Sequence, residues 1–157
     1  MISEKLGKLL RAKNITLAVA ESFTGGLVSS MITDAPGSSE YFLVGLVTYS
    51  YESKTSLLGV KESTLIKHGA VSEEVAREMA IGVKELSSAD LGLSTTGIAG
   101  PSGGMKEKPV GLTYIGLAYR DEMFVEKMIL PGTREEIRRA AAIHALDMIL
   151  RVIGSDK

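Results

Sequence analysis

Three short apolar runs, ITLAVA (15–20), FLVGLVTYS (42–50) and ADLGLSTTG (89–97), alternate with stretches of helical spacing. That alternation limits the chain to few architectures. A nearly continuous apolar run of six residues suits a strand buried on both faces, as in a sheet with helices on either side. The intervening stretches carry their own start and stop signals. Ile2, Leu6, Leu9 and Leu10 recur at helical spacing, and Asn14 can end that helix. A second helix spans Gly25 to Thr33, before the breakers Asp34, Pro36 and Gly37. Lys54–Leu58 is helical up to Gly59, which suits a left-handed position after a helix. Residues 61–67 form a short helix that stops at Gly69. Ser72 then caps a longer one, with Glu73 and Glu74 in its first turn and a stripe of Val75, Met79, Val83 and Leu86. Two strand patterns, 110–119 and 122–130, flank Arg120 and Asp121 and read as a hairpin. A last helix runs from about Thr133 to Ile153 on Ile137, Ala141, Ala145, Met148 and Val152. The fold class is α/β, a sandwich with a mixed sheet.

With 157 residues, the chain reads as one domain over 1–157, long enough to bury about two-thirds of its unfolded surface. Net charge is −1, and no basic run exceeds a pair such as Arg138–Arg139, so a nucleic-acid partner has no electrostatic footprint. With no cysteine, disulfides, thiolate catalysis and cysteine-based metal sites are excluded. No apolar stretch approaches the roughly 20 residues of a membrane span. The first residues, MISEKLGKLLRAKN, lack a signal-peptide core. No membrane partner and a cytoplasmic location are the expectations.

Three segments leave a strand for a loop or helix: 20–26, 49–54 and 97–111. In open α/β sheets ligands bind beyond the carboxyl ends of the strands, so parallel neighbours would bring all three to one crevice. In AESFTGG, Thr24, Gly25 and Gly26 offer backbone N–H groups at a helix start, suited to an oxyanion or phosphate. Ser22 is there either a nucleophile or a cap. In TYSYESK, Ser50 can cap a helix that holds Lys54 in its first turn, where the dipole and burial both lower an ammonium pKa. Lysine must fall from ~10.4 to about 7–8 to act as a base. Tyr49 could hydrogen-bond to Ser22 or Lys54. The third segment, TTGIAGPSGGMKEKPVG, is neither a Walker A nor a dinucleotide fingerprint. It is a stiff, close-approach loop with free N–H groups, and Lys106, Lys108 and Arg138 are the candidate cations for a phosphate. His68 and His144 read as helix-end and helix-face residues, and a metal site would need scattered carboxylates. A serine activated by a lysine is the simplest nucleophilic arrangement left.

Taken together, AESFTGG, PGSSEYF, VTYSYESK, LLGV, HGAVSEEVA, TGIAGPSGG and EKPVG, in this order and spacing, resemble the CinA C-terminal domain family. Members of that family also occur alone as nicotinamide-nucleotide amidases of the PncC type. The resemblance runs through almost the whole chain. It implies a three-layer α/β/α sandwich with a mixed, mostly parallel sheet and one C-terminal β-hairpin, often assembled as a homo-oligomer. The implied reaction converts nicotinamide mononucleotide to nicotinic acid mononucleotide and ammonia, without metal or other cofactor. The family's catalytic serine falls on Ser22, its lysine on Lys54 and its assisting tyrosine on Tyr49. The implied site for the pyridine nucleotide comprises Glu21, Thr24, Gly25 and Gly26, then Thr96, Gly97, Ile98, Ala99, Gly100, Gly103 and Gly104, with Lys108 and Arg138. Two departures stand out. Phe23 replaces the cysteine common after the serine, and YESK replaces the usual NEAK.

An amidase requires Lys54 beside Ser22. A non-catalytic nucleotide- or protein-binding module of the same fold would instead leave Lys54 solvated and far from Ser22. A purely structural oligomer would show no ligand effect on thermal stability.

Overall fold

A computed structural model describes residues 1–155; the last two residues of the 1–157 span lie outside the described residues. The elements in chain order are α1 (Ile2–Lys13), β1 (Leu17–Glu21), α2 (Leu27–Thr33), a 3-10 turn (Ser38–Glu40), β2 (Phe42–Val47), α3 (Tyr51–Leu58) and α4 (Glu62–His68). There follow α5 (Glu73–Ser87), β3 (Leu91–Gly97), β4 (Leu112–Tyr119), β5 (Glu122–Ile129) and α6 (Arg134–Gly154). The sheet order is β2-β1-β3-β4-β5. β1 pairs parallel with both β2 and β3, whereas the β3–β4 and β4–β5 pairs are antiparallel. Four of the five strands therefore run one way, with β4 reversed by the hairpin.

Helices cover both faces. Leu17 and Val19 of β1 face a core built with Leu6 and Leu10 of α1, Val28 and Ile32 of α2, and Leu146 and Ile149 of α6. Ala18 and Ala20 face Leu58, Leu65, Val75, Met79 and Val83 of α3, α4 and α5. This strict alternation on a central strand produces the three layers. A smaller cluster of Phe23, Ala99, Leu130, Ile137 and Ala141 lies beneath the start of α6.

The boundaries follow local chemistry. Asn14 is left-handed (φ 53°) and closes α1, and Gly59 (φ 72°) closes α3. Ser50, Ser72 and Thr133 each accept an N3 amide as N-caps, and Thr133 completes a capping box with Glu136. α2 starts two residues later than the spacing predicts, because Gly25 (φ 58°) and Gly26 (φ 103°) are left-handed. The β2 run ends at Val47 rather than residue 50, since Ser50 is already a cap. Leu86 departs from the predicted stripe of α5 and is 57% exposed.

α5 lies close against the sheet. A Cβ at Gly92 would come within 2.1 Å of the Ala80 carbonyl oxygen, and one at Gly116 within 2.6 Å of that of Ala76. Ser94 between them donates to the Ala76 carbonyl at 2.6 Å. Neither backbone can give way cheaply. Gly92→Ala should therefore destabilise the fold by about 1–3 kcal/mol, the range of an overpacked core. Urea denaturation with an unchanged midpoint would refute that packing.

Candidate active site

The carboxyl ends of β1, β2 and β3 lie side by side, and the three loops after them meet there. Ser22 follows β1 directly. Its amide donates to the Thr95 carbonyl of β3 at 3.0 Å, and its own carbonyl accepts from Gly25 N–H at 3.1 Å. A tight turn thus holds Ser22, 8% exposed, at the end of the sheet. Lys54, on α3, is fully buried. Its Nζ lies 2.9 Å from Ser22 Oγ, 2.7 Å from the Thr48 carbonyl and 3.0 Å from the Tyr49 carbonyl. No carboxylate contacts Lys54 among the described residues, and burial alone lowers its pKa from 10.5 to about 8. Sequence reasoning assigned part of that shift to the dipole of α3; desolvation is the cause here.

This geometry constrains the proton. An ammonium has three donors and can supply all three neighbours. A neutral amine has two N–H groups and a lone pair. Two carbonyls can only accept, so they take both N–H groups. The lone pair is left facing Ser22 Oγ. Deprotonated Lys54 is therefore oriented to accept the serine proton.

Glu21 does not face a ligand. Its carboxylate is completely buried and accepts Thr24 Oγ1 (2.6 Å), Gly26 N–H (3.1 Å), Val28 N–H (3.0 Å), Ser29 N–H (3.0 Å) and Ser29 Oγ (2.8 Å). It caps α2 from the preceding strand. Thr24 Oγ1 also meets Thr95 Oγ1 at 2.7 Å. The oxyanion donors expected from Thr24, Gly25 and Gly26 are accordingly narrowed. Gly25 and Gly26 amides are engaged by Ser22 and Glu21, whereas those of Phe23 and Thr24 have no hydrogen-bond partner among the described residues.

The remaining predicted residues fall into place as follows. Tyr49 serves Lys54 through its carbonyl; its exposed hydroxyl accepts from Arg134 at 3.3 Å, away from both Ser22 and Lys54. Phe23 packs its ring against Gly97, where a Cβ would stand 2.6 Å from it. Thr96 Oγ1 donates to the Ala70 carbonyl. Ile98 exchanges backbone bonds with Leu112 and Gly111, and Ala99 is buried beneath α6. The Gly100 carbonyl accepts from Arg134 at 2.7 Å, and Gly103 and Gly104 are exposed. Lys106 is exposed, but Lys108 is bound to the His68 carbonyl at the end of α4. Arg138 donates to the Phe23 carbonyl (2.9 Å) and the Thr24 carbonyl (3.2 Å). Sequence reasoning missed Thr48, Thr95 and Arg134. The one signal for Arg134 was its position in the first turn of α6, where the dipole opposes a cation.

An α/β/α sandwich with a serine held against a buried lysine at the carboxyl ends of parallel strands defines a class of candidate serine–lysine sites. The CinA C-terminal domain model matches residues 1–153. The chain belongs to the CinA C-terminal domain family. A "Putative competence-damage inducible protein" of Caldanaerobacter subterraneus subsp. tengcongensis is 56% identical over 146 residues, 93% of this chain and 35% of that protein. A Clostridium kluyveri protein of the same name is 54% identical over 97% of this chain and 37% of its own length. The chain thus spans about a third of these relatives. Among solved structures, the competence damage-inducible protein A of Klebsiella pneumoniae superposes with a TM-score of 0.96 at 29% identity, covering 99% and 97% of the two chains. The competence/damage inducible protein CihA of Agrobacterium tumefaciens gives 0.91 at 36% identity, with the same coverage.

Burying Lys54 without a counter-ion has a measurable cost. Between pH 8 and 10.5 the unfolded chain holds a proton at this position that the folded chain has released, so the lysine's contribution to stability rises with pH across that window. Below pH 8 the penalty is fully present. Lys54→Met, similar in shape and uncharged, should be more stable than wild type at pH 7, and the difference should shrink towards pH 10. Urea titrations of both proteins at the two pH values check this; a less stable variant at pH 7 would contradict it.

Proposed function

We propose that the chain is a cytoplasmic, homo-oligomeric amidohydrolase that converts nicotinamide mononucleotide to nicotinic acid mononucleotide and ammonia. The observation that carries the reading is the 2.9 Å contact of Ser22 with a buried lysine caged by two carbonyls. The family resemblance supplies the substrate. A module that only binds would have no use for an uncompensated buried amine.

Neutral Lys54 takes the Ser22 proton as Oγ bonds to the carboxamide carbon. The carbonyl oxygen becomes an oxyanion, for which the Phe23 and Thr24 amides are the available donors. Arg138 holds the carbonyl of the Phe23–Thr24 peptide, so the N–H of that same peptide points away from the guanidinium. The intermediate collapses with cleavage of the C–N bond while the lysine ammonium protonates the leaving nitrogen, and ammonia departs. Water then attacks the acyl ester, Lys54 again accepting the proton. Ser22 regains its hydrogen and the product leaves as a carboxylate.

Ser22→Ala and Lys54→Ala should each lower kcat for ammonia release by orders of magnitude with the fold retained, and the double variant should be little worse than either. In wild type, kcat/KM should rise with pH through an inflection near 8, as Lys54 of the free protein deprotonates. Near wild-type kcat in either single variant would overturn the dyad.

A carboxamide is a small handle, so discrimination must come from remote contacts that position the reacting carbon. Free nicotinamide and its riboside should be poorer substrates than the mononucleotide by at least about tenfold in kcat/KM, since a charge-assisted contact is worth about 1.5–3 kcal/mol. Equal rates on all three would show that the loops serve another ligand.

A further inference from the structure

We propose that the Ser22 site also transfers its acyl group to weakly basic primary amines, of the hydroxylamine and hydrazine class, in place of water. The proposal rests on the amidase reading, which supplies the acyl group. It adds a second acceptor and therefore a second product, an N-substituted amide of the nucleotide.

The inference comes from a shortage of proton acceptors. Among the described residues, Lys54 Nζ is the only group that bonds to Ser22 Oγ. Other titratable groups are engaged elsewhere. The Glu21 carboxylate takes five donors at the start of α2, and the Tyr49 hydroxyl accepts from Arg134. The His68 ring lies 3.6 Å from Glu74. One amine must therefore serve both halves of the reaction. In the first half it takes the serine proton and hands it to the departing nitrogen, so it ends neutral. Its two N–H groups still have the Thr48 and Tyr49 carbonyls as acceptors. Its lone pair still faces the Ser22 oxygen, now an ester oxygen.

That leaves one productive position for a second nucleophile. Lys54 is fully buried and Ser22 is 8% exposed, so a proton reaches the amine only from beside the ester oxygen, the space that ammonia has vacated. A position that releases an N–H compound by this route accepts one by the reverse route. The acceptor must also be uncharged where Lys54 is uncharged, and burial lowers the lysine to about 8. An ordinary alkylamine, with a pKa of about 10.4 like a solvated lysine, is an ammonium ion there and has no free lone pair. A weakly basic amine keeps its lone pair.

In the transfer, the amine nitrogen bonds to the carbonyl carbon of the Ser22 ester and Lys54 accepts one of its protons. The C–Oγ bond then breaks, and Lys54 returns the proton to Ser22 Oγ. Ester and amine give amide and serine hydroxyl, and no oxidant or reductant is consumed.

The test is to incubate the intact protein with nicotinamide mononucleotide and increasing hydroxylamine at pH 8, counting acid and hydroxamate by mass spectrometry alongside ammonia. Hydroxamate should rise as carboxylate falls, their sum staying equal to the ammonia released. Methylamine should yield no amide at the same pH. Ser22→Ala should make hydroxamate no faster than a protein-free control, and Lys54→Ala should lower it at least tenfold. Ammonia and carboxylate without hydroxamate, at every hydroxylamine concentration, would overturn the transfer and leave the amidase reading standing. Undiminished hydroxamate in Ser22→Ala would also overturn it, because the acyl group would not have passed through the serine. A protein that yields neither ammonia nor hydroxamate overturns both readings. Amide formed as readily from methylamine as from hydroxylamine would overturn the restriction to weakly basic acceptors.

Discussion

The carboxylate of Glu21 ties the site together. A carboxylate removed from water is tolerable only when donors replace its solvation. Glu21 receives five, three from the backbone of the α2 start and two from the Thr24 and Ser29 hydroxyls. Those bonds fix the turn from Ser22 to Gly26, because the chain must reverse from strand to helix around one buried charge. The same residue acts through its backbone. Its carbonyl accepts the Thr48 amide at 2.8 Å, and the Thr48 carbonyl in turn accepts from Lys54. One residue therefore sets both the turn that carries Ser22 and one wall of the lysine's cage. Each donor left unpaired in a buried position would cost about 1–3 kcal/mol, so no neutral side chain of similar size replaces it without rearranging the turn.

Lys54 presents the opposite balance. Among the described residues its amine is buried with only dipoles and a hydroxyl for company, and that desolvation keeps its pKa low. A salt bridge would make the position more comfortable and chemically idle, because the ammonium would be retained at neutral pH. The desolvation cost of one buried amine is offset by the well-packed layers around it. Ala18 and Ala20 of β1, with Leu58 at the end of α3, anchor the two elements that bring serine and lysine together.

Much of this was legible in the sequence because it depends on neighbours along the chain. Asn14, Ser50, Gly59, Ser72 and Thr133 mark helix ends by local chemistry, and the hairpin is punctuated by Arg120 and Asp121. The meeting of Ser22 and Lys54, 32 residues apart, follows from parallel strands whose carboxyl ends are adjacent. Side-chain direction was not legible. Glu21 ends β1 and Ser22 opens the turn after it; the first sends its carboxylate to the start of α2 and the second its hydroxyl to Lys54, a division that their order in the chain does not reveal. Tyr49 turns its hydroxyl outward and offers its carbonyl, a role to which any residue type is equal. Lys108 and Arg138 carried the right charge, but their partners are main-chain carbonyls 40 and 114–115 residues away, which no spacing rule reveals.

These long-range contacts give the final helix a role out of proportion to its distance in sequence. Arg134 links the loop after β3, through Gly100, to the loop after β2, through Tyr49, and Arg138 one turn later holds the loop after β1. All three loops are thus fastened to the first two turns of α6. Without that fastening the Phe23–Thr24 peptide would be free to rotate, and its N–H could point elsewhere. Electrostatic stabilisation of an oxyanion depends on donors that need not reorganise when charge develops. Arg138 holds the Phe23–Thr24 peptide from its carbonyl side, which in the amidase reading keeps the N–H on the other side in place. The turn that carries Ser22 lies in the first sixth of the chain, but its carbonyls are held by a helix that starts beyond residue 130. The site is complete only when both ends of the chain have folded together.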